Sequence, residues 1–99
     1  MEITRWEFET HKEVINLFRG GENVKFSKLI IDYCSYHSKQ KNWDESIILE
    51  ILIKEDDLIY DVILQKEDLE VTLKSNIKVL EKFEEYEYCQ KGLEALKNL

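Results

Sequence analysis

The sequence predicts an all-α protein, a small compact bundle of about four to five helices that forms one domain over residues 1–99. The chain contains no proline, and its only glycines are Gly20, Gly21 and Gly92. Folds with many tight turns use glycine for positive φ angles and proline for a fixed φ angle. The scarcity of these two residues therefore favours helices. Apolar residues also recur at three- and four-residue spacing, which is the period of an amphipathic helix.

The first predicted helix begins at Thr4. Thr4 and Glu7 have the spacing of a capping box, in which each side chain accepts a hydrogen bond from the other residue's backbone N–H. Ile3 and Phe8 occupy the positions of the hydrophobic staple around that cap. Apolar residues follow at helical spacing, and the glycine pair at 20–21 provides a left-handed stop. We therefore expect one helix that ends just before this pair.

Further helices are expected along the middle of the chain. Asn23 can cap a second helix that runs to about Lys39. After a polar connection, Asn42 offers a cap for a third helix with apolar residues between 47 and 52. The acidic segment 54–57 interrupts this run, and its last residue, Asp57, can cap another helix.

The segment from 47 to 73 also allows a different structure. Residues 47–53 and 58–64 are rich in β-branched side chains and could pair as a hairpin about the acidic turn. Alternating apolar and polar residues over 69–74 would supply a third strand. The alternative is therefore an α+β fold with a short antiparallel sheet from residues 47–73. Because the turn contains neither glycine nor asparagine, the helical interpretation is favoured.

The last segment is predicted to be a helix capped by Ser75, with an apolar stripe on one face and a mostly acidic ridge on the other. Gly92 lies inside this helix, where glycine costs about 1 kcal/mol relative to alanine. A glycine at this position predicts a kink or a close contact between helices.

Charge is divided unequally along the chain. Residues 1–43 carry seven basic and six acidic side chains, whereas residues 44–99 carry seven basic and fifteen acidic ones. The second half of the chain is therefore strongly negative. Nucleic acid and anionic membranes repel such a segment, whereas basic protein surfaces attract it. We therefore expect a protein partner with a basic surface, with no direct binding to nucleic acid and no binding to membranes.

The residues expected to bind such a partner are acidic or aromatic. Clusters of carboxylates at 56–61 and 81–87 supply the charge, and aromatic side chains are favoured anchors in protein interfaces. The candidate partner-binding residues are Trp43, Asp56, Asp57, Tyr60, Asp61, Glu81, Glu84, Glu85 and Glu87.

No catalytic, cofactor-binding or metal-binding residues are expected. Cys34 and His37 would lie one helical turn apart and could share a metal ion, but a structural zinc site needs four ligands. Of the remaining candidates, neither Cys89 nor His11 has a neighbouring ligand in the sequence. The carboxylates at 56–61 lack any sign of the pocket that would turn one of them into a general acid or base. We predict a protein that is not an enzyme and carries no cofactor.

The expected location is the cytoplasm. The first residues lack a basic segment followed by an apolar core, so no signal peptide is expected. The two cysteines have no disulfide framework around them, which indicates reduced thiols. The longest apolar-rich stretch, residues 47–53, is too short to span a bilayer.

A weak family pattern spans residues 26–74. Phe26–Cys34, a polar link, a segment that starts near Asp44 and the segment Leu58–Leu69 follow one another. This order resembles the late-transcription coactivators of tailed bacteriophages, whose short helical core binds the flap of bacterial RNA polymerase. The resemblance implies a helix at each segment and RNA polymerase as a partner. Residues 93–99 lack the aromatic-containing motif with which that family reaches the sliding clamp.

The leading hypothesis is a non-catalytic, protein-binding effector of phage or plasmid type. It would dock through an acidic, aromatic-containing surface on a bacterial nucleic-acid machine, with RNA polymerase as the named candidate. One alternative is an immunity, anti-restriction or anti-CRISPR inhibitor that blocks a nuclease by acidic complementarity or by imitating nucleic-acid phosphates. Another is a structural subunit whose exposed apolar face closes a homodimer.

Overall fold

The computed structural model describes residues 2–19 and 22–99, and within them a three-stranded mixed sheet packs with four helices. The fold is therefore α+β, so the predicted all-α bundle is wrong and the α+β alternative has the right class. Strand β1 (Thr4–Phe8) pairs in parallel with β2 (Glu45–Ile53). Strand β2 pairs antiparallel with β3 (Leu58–Gln65), so β2 is central.

The segment predicted as the start of the first helix is strand β1, so the capping box at Thr4 is wrong. Helix α1 (His11–Phe18) begins later, with Thr10 as its N-cap. The Oγ1 atom of Thr10 accepts a hydrogen bond from the backbone N–H of Glu13 at 3.3 Å. The Glu13 carboxylate accepts one from the backbone N–H of Glu9 at 2.9 Å. Thr10 and Glu13 thus have the spacing predicted for Thr4 and Glu7, but the carboxylate bonds the residue before the cap and not the cap itself.

Helix α2 (Val24–His37) begins where the sequence predicts. Asn23 Oδ1 accepts a hydrogen bond from the backbone N–H of Phe26 at 2.8 Å, so the predicted cap is confirmed. The helix ends two residues before the predicted Lys39. The glycine stop predicted for the preceding helix, at 20–21, lies outside the described residues.

Residues 45–65 form the β2–β3 hairpin, so the two helices predicted there are wrong. The acidic segment forms the turn, in which Lys54–Asp56 is a short 3-10 helix and Asp57 follows with φ 51°. Aspartate tolerates this left-handed conformation, so the turn forms without glycine or asparagine. Asp57 therefore closes a turn and does not cap a helix.

A β-bulge in β2 determines which of its side chains are buried. The register shifts between Ile47 and Leu49, and both Ile48 and Leu49 are fully buried. Ile51 and Ile53 continue the buried face beyond the bulge. These side chains give the central strand a continuous apolar surface toward the helices.

Helices α3 (Leu69–Lys82) and α4 (Tyr86–Lys97) complete the chain. The third strand of the α+β alternative, at 69–74, is wrong because this segment begins α3. Ser75 lies inside α3, so the cap predicted there is wrong as well. The chain turns between the two helices at Glu84, whose φ is 59°.

The core lies between the buried face of the sheet and the helices. Ile31, Leu73 and Leu80 are fully buried and belong to one cluster with the β2 side chains. Helix α4 comes closest to its neighbours at Gly92, where an added Cβ would lie 2.7 Å from Ile77 Cγ1. The predicted close helix contact at Gly92 is therefore confirmed.

Strand β1 is held to the rest of the molecule by aromatic contacts. The Trp6 ring stacks on Phe18, with centroids 6.5 Å apart, and meets Phe26 edge-on at 6.2 Å. The hydroxyl of Tyr33, which is 3% exposed, lies 3.0 Å from Thr4 Oγ1. These contacts join the strand to α1 and α2, in addition to its parallel pairing with β2.

Candidate protein-binding surface

The predicted partner-binding residues lie in separate places on the molecule. Trp43 lies in the connection before β2, the residues at 56–61 lie in the β2–β3 hairpin, and the glutamates at 81–87 surround the turn between α3 and α4. They therefore belong to three different segments of the fold.

Trp43 is half-buried and packs against the core. Its ring centroid lies 4.5 Å from that of His37, and burial lowers the pKa of His37, which favours a neutral imidazole beside the indole. The two rings line an open cleft of about 420 Å³ together with Lys66 and Leu69. Because Trp43 is engaged within the protein, it is a weaker anchor for a partner than the sequence suggests.

The glutamates at 81–87 do not form a ridge on one helix, because the chain turns between α3 and α4. The Glu85 carboxylate pairs with Lys28 Nζ at 3.0 Å. Phe83 and Tyr86 at the same turn are 46% and 65% exposed. This acidic corner therefore combines carboxylates with exposed aromatic rings, although one carboxylate is already paired.

The hairpin turn is fixed to the start of α1. Asp56 Oδ2 lies 2.6 Å from His11 Nε2, and Glu55 Oε1 accepts a hydrogen bond from the backbone N–H of His11 at 2.8 Å. The backbone N–H of Glu55 donates to the carbonyl of Glu9 at 3.0 Å. The side chains that follow the turn are therefore presented on a backbone that is held in place.

His11, Glu55 and Asp56 also bring possible metal ligands together, with ligand atoms within 4.8 Å of one another. His11 has no neighbouring ligand in the sequence, and the fold brings Glu55 to it from 44 positions away. One imidazole and two carboxylates suit several divalent metals. All three side chains are at the surface and bond to one another or to the α1 backbone, so we assign them to fixing the hairpin.

Strand β3 carries an apolar surface that the sequence analysis missed. Leu58, Ile59, Tyr60 and Ile63 are 42%, 52%, 49% and 50% exposed. The β-branched run over 58–64 carries the signal of a strand, but the helical interpretation of this segment predicts no exposed strand. Tyr60 and Asp61, which were predicted as binding residues, lie next to each other in this strand.

The exposed residues of β3 lie on both faces of the sheet. Tyr60 pairs with the buried Ile51, so both side chains lie on the face of the sheet that packs against the helices, called the helical face. Tyr60 is still exposed, because the described helices do not cover this part of β3. Ile59 and Ile63 lie on the other face, with Asp61 between them. The strand thus presents apolar side chains in two directions.

Neither cysteine is suited to nucleophilic chemistry. Burial raises the pKa of Cys34 from 9.0 to about 12. Burial also raises the pKa of Cys89, and the charges of Glu81 and Glu85 raise it further. The thiolate is the reactive form of cysteine, so a raised pKa disfavours reaction at both thiols near neutral pH.

Comparison of the chain with protein-family models, with curated proteins and with solved structures finds no match. Among the described helices, none is both long enough and apolar enough to cross a bilayer. What the protein binds is therefore inferred from the chemistry of its surface.

Proposed function

We propose that the protein is a non-catalytic effector that binds another protein through the β2–β3 hairpin. The hairpin surface consists of the exposed apolar residues of β3 and the carboxylates of the turn and strand: Asp56, Asp57, Leu58, Ile59, Tyr60, Asp61 and Ile63. Its partner is a protein with a basic surface. The proposed location is the cytoplasm, where two unpaired cysteines stay reduced.

The proposal depends on the exposure of large apolar side chains in β3. Half-exposure of four such side chains leaves on the order of 350 Å² of apolar surface, divided between the two faces of β3, so only a partner that contacts both faces can bury all of it. At about 25 cal/mol per Å², burying it contributes on the order of 9 kcal/mol before the entropic cost of association is subtracted. The apolar surface of β3 is therefore large enough to anchor a partner that contacts both faces of the strand.

The carboxylates around the patch select the class of partner. Enzymes that act on nucleic acid carry basic channels because they bind the phosphate backbone. A bacterial nucleic-acid machine is therefore the proposed target, and the resemblance over residues 26–74 makes RNA polymerase the first to test. That resemblance implied helices in a region where residues 45–65 form strands, so the polymerase is one candidate within the class.

The test is affinity capture from bacterial lysate across a salt series, followed by binding to purified RNA polymerase core enzyme. The double variant Ile59→Ser/Tyr60→Ser removes apolar contacts from the hairpin. Tyr86→Ser is the matched control, because it removes an exposed aromatic ring elsewhere. We expect the wild type and the control to retain the same basic enzyme and the hairpin variant to lose it. If the hairpin variant retains that enzyme at the same salt concentration, the hairpin is not the binding surface.

The acidic corner between α3 and α4 supports a second candidate function, an immunity, anti-restriction or anti-CRISPR inhibitor of a nuclease. Its support is the gathering of carboxylates and exposed aromatic rings at one turn. The variant Glu81→Gln/Glu84→Gln/Glu87→Gln would then abolish binding, which would also fall steeply with salt. The hairpin variant would bind normally in that case.

A further inference from the structure

Strand β3 is an edge strand with one free side. It pairs with β2 on one side, and no described strand lies on the other. An edge strand exposes a row of backbone N–H and C=O groups to which another extended chain can bond. Proteins usually protect such edges with proline, lysine or a bulge, but β3 contains no proline, glycine or lysine, and Asp61 is its one charged residue.

The hydrogen bonds of the hairpin show which residues direct their backbone groups to the free side. Lys66 N donates to Asp44 O at 2.8 Å, one step beyond the last pair of the β2–β3 register. Bonded and non-bonded positions alternate along an antiparallel strand, and the bulge in β2 leaves the alternation in β3 intact. Even-numbered residues of β3 therefore bond to β2. Ile59, Asp61 and Ile63 direct their N–H and C=O groups away from it.

A strand added at this edge would cover apolar side chains on both faces of β3. Ile59 and Ile63 lie on the outer face, whereas Leu58 and Tyr60 lie on the helical face. An added strand lies about 4.8 Å away, where its alternate side chains contact both sets. The centre of the bound segment should therefore be apolar.

Both ends of the free edge are acidic. Carboxylates at 55–57 precede β3, and those at 67–68 follow it. One lysine also lies at each end, but the carboxylates outnumber it: Lys54 stands beside three of them and Lys66 beside two. A segment with basic residues at both ends therefore matches the charge of the edge.

A second copy of the chain fits the backbone of this edge but not its charge. In an antiparallel pair of β3 strands centred on Val62, residues 56–57 of each copy lie opposite residues 67–68 of the other. All of these are acidic, and each copy has a net charge of −7. A pair centred on Asp61 places two carboxylates directly opposite, which is also destabilising. Charge therefore favours a basic partner over a second copy.

We propose that the partner binds by strand addition, in which an extended segment with an apolar centre and lysine or arginine at both ends pairs with the free edge of β3. This inference rests on the proposed function and adds the mode of binding and the chemistry of the bound segment. Backbone hydrogen bonds supply affinity, and the alternating side chains supply specificity.

The probe is the synthetic peptide K-R-V-T-I-T-V-K-R, titrated into the full chain and followed by amide NMR. We expect shifts and slowed hydrogen exchange at the amides of Ile59, Asp61 and Ile63. One control peptide carries N-methyl groups at alternate residues, which removes N–H donors and keeps the charge. Another has glutamate in place of the basic ends. Each control should bind about tenfold more weakly or worse.

Two variants of the protein test strand addition with the unmodified peptide. Asp61→Pro removes the N–H that faces the free edge and places the proline ring there, without cutting a bond to β2. Asp61→Ala is the matched control, because it removes only the carboxylate. We expect the proline variant to bind the peptide at least about tenfold more weakly than the alanine variant. If the proline variant does not fold, the N-methylated peptide answers the question on the unaltered chain.

Equal binding of the unmodified and N-methylated peptides, or no response at the three amides, overturns strand addition. If the hairpin variant still loses the lysate partner in that case, the proposed function stands alone. If the hairpin variant keeps the partner, both proposals fail. A dimer in sedimentation with these amides already protected would assign the edge to a second copy, and that would also overturn the proposal.

Discussion

Replacing Gly92 by alanine should destabilise the protein, although alanine is the better helix former. An added Cβ would lie 2.7 Å from Ile77 Cγ1, 2.9 Å from Ile77 Cδ1 and 3.1 Å from Ile31 Cδ1. Ile31 is fully buried and Ile77 is 5% exposed, so neither side chain can move into solvent. The added methyl group must therefore displace packed core atoms.

Two opposing terms determine the size of the effect. Alanine in a helix interior gains about 1 kcal/mol over glycine. An extra methyl group in a packed core costs about 1–3 kcal/mol. The upper part of that range applies because Ile77 Cγ1 is bonded directly to Cβ and moves only if χ1 or the backbone changes. We expect the free energy of unfolding to fall by about 1–2 kcal/mol, from a total that is typically about 5–15 kcal/mol.

Urea unfolding followed by far-UV circular dichroism measures this change, and Ile77→Ala provides the control background. Ile77→Ala removes both atoms that the new Cβ would approach under 3 Å. In that background Gly92→Ala should raise the free energy of unfolding by up to about 1 kcal/mol, because the helix-propensity gain remains and only the 3.1 Å approach to Ile31 Cδ1 opposes it. The reasoning is refuted if Gly92→Ala stabilises the wild type, or if its effect is the same in both backgrounds.

Other predictions follow from backbone strain, buried hydrogen bonds and titration. Glu84→Gly should raise the free energy of unfolding by about 0.5–1 kcal/mol, because glycine adopts φ 59° without strain; urea unfolding measures this. Tyr33→Phe should lower it by about 1 kcal/mol, because the hydroxyl bonds Thr4 Oγ1 and the Glu2 carbonyl; faster hydrogen exchange in β1 should accompany the loss. The pKa of Cys34 is about 12 in the folded protein against an ordinary 9.0, so above pH 9 the thiol ionises first in the unfolded chain. Stability should therefore fall by about 1.4 kcal/mol per pH unit from this group, and a pH series of Cys34→Ala should lack that contribution.

Part of the candidate site could be predicted from sequence, and part could not. The acidic segment at 54–57 was expected to interrupt the apolar run, and it does so by forming the hairpin turn. Tyr60 and Asp61 were selected as binding residues for their chemistry. That they lie on an exposed strand depends on β3 being an edge, and no local pattern carries that information. The glutamates at 81–87 were expected on one helix face, but the left-handed residue that separates α3 from α4 is not glycine and gave no signal.

The sequence by itself determined the features that depend on a residue and its close neighbours. The Asn23 cap, the break at 54–57 and the acidic character of the second half are of this kind. Gly92 is similar, because a glycine inside a helix already indicates a close approach.

Only the tertiary structure decided where the sheet forms. Thr4–Phe8 carries a helix cap signal, yet it is a strand. Its backbone pairs with β2, and its Trp6 ring packs against aromatic side chains of α1 and α2. The β-branched segments of the hairpin suit a helix face as well as a strand, and pairing with residues far away in sequence selects the strand. Which strand lies at an edge depends in turn on the strand order, and which of its side chains stay exposed depends on which part of the sheet the helices cover. That is a property of the whole chain, because local patterns record which side chains are apolar but not what covers them.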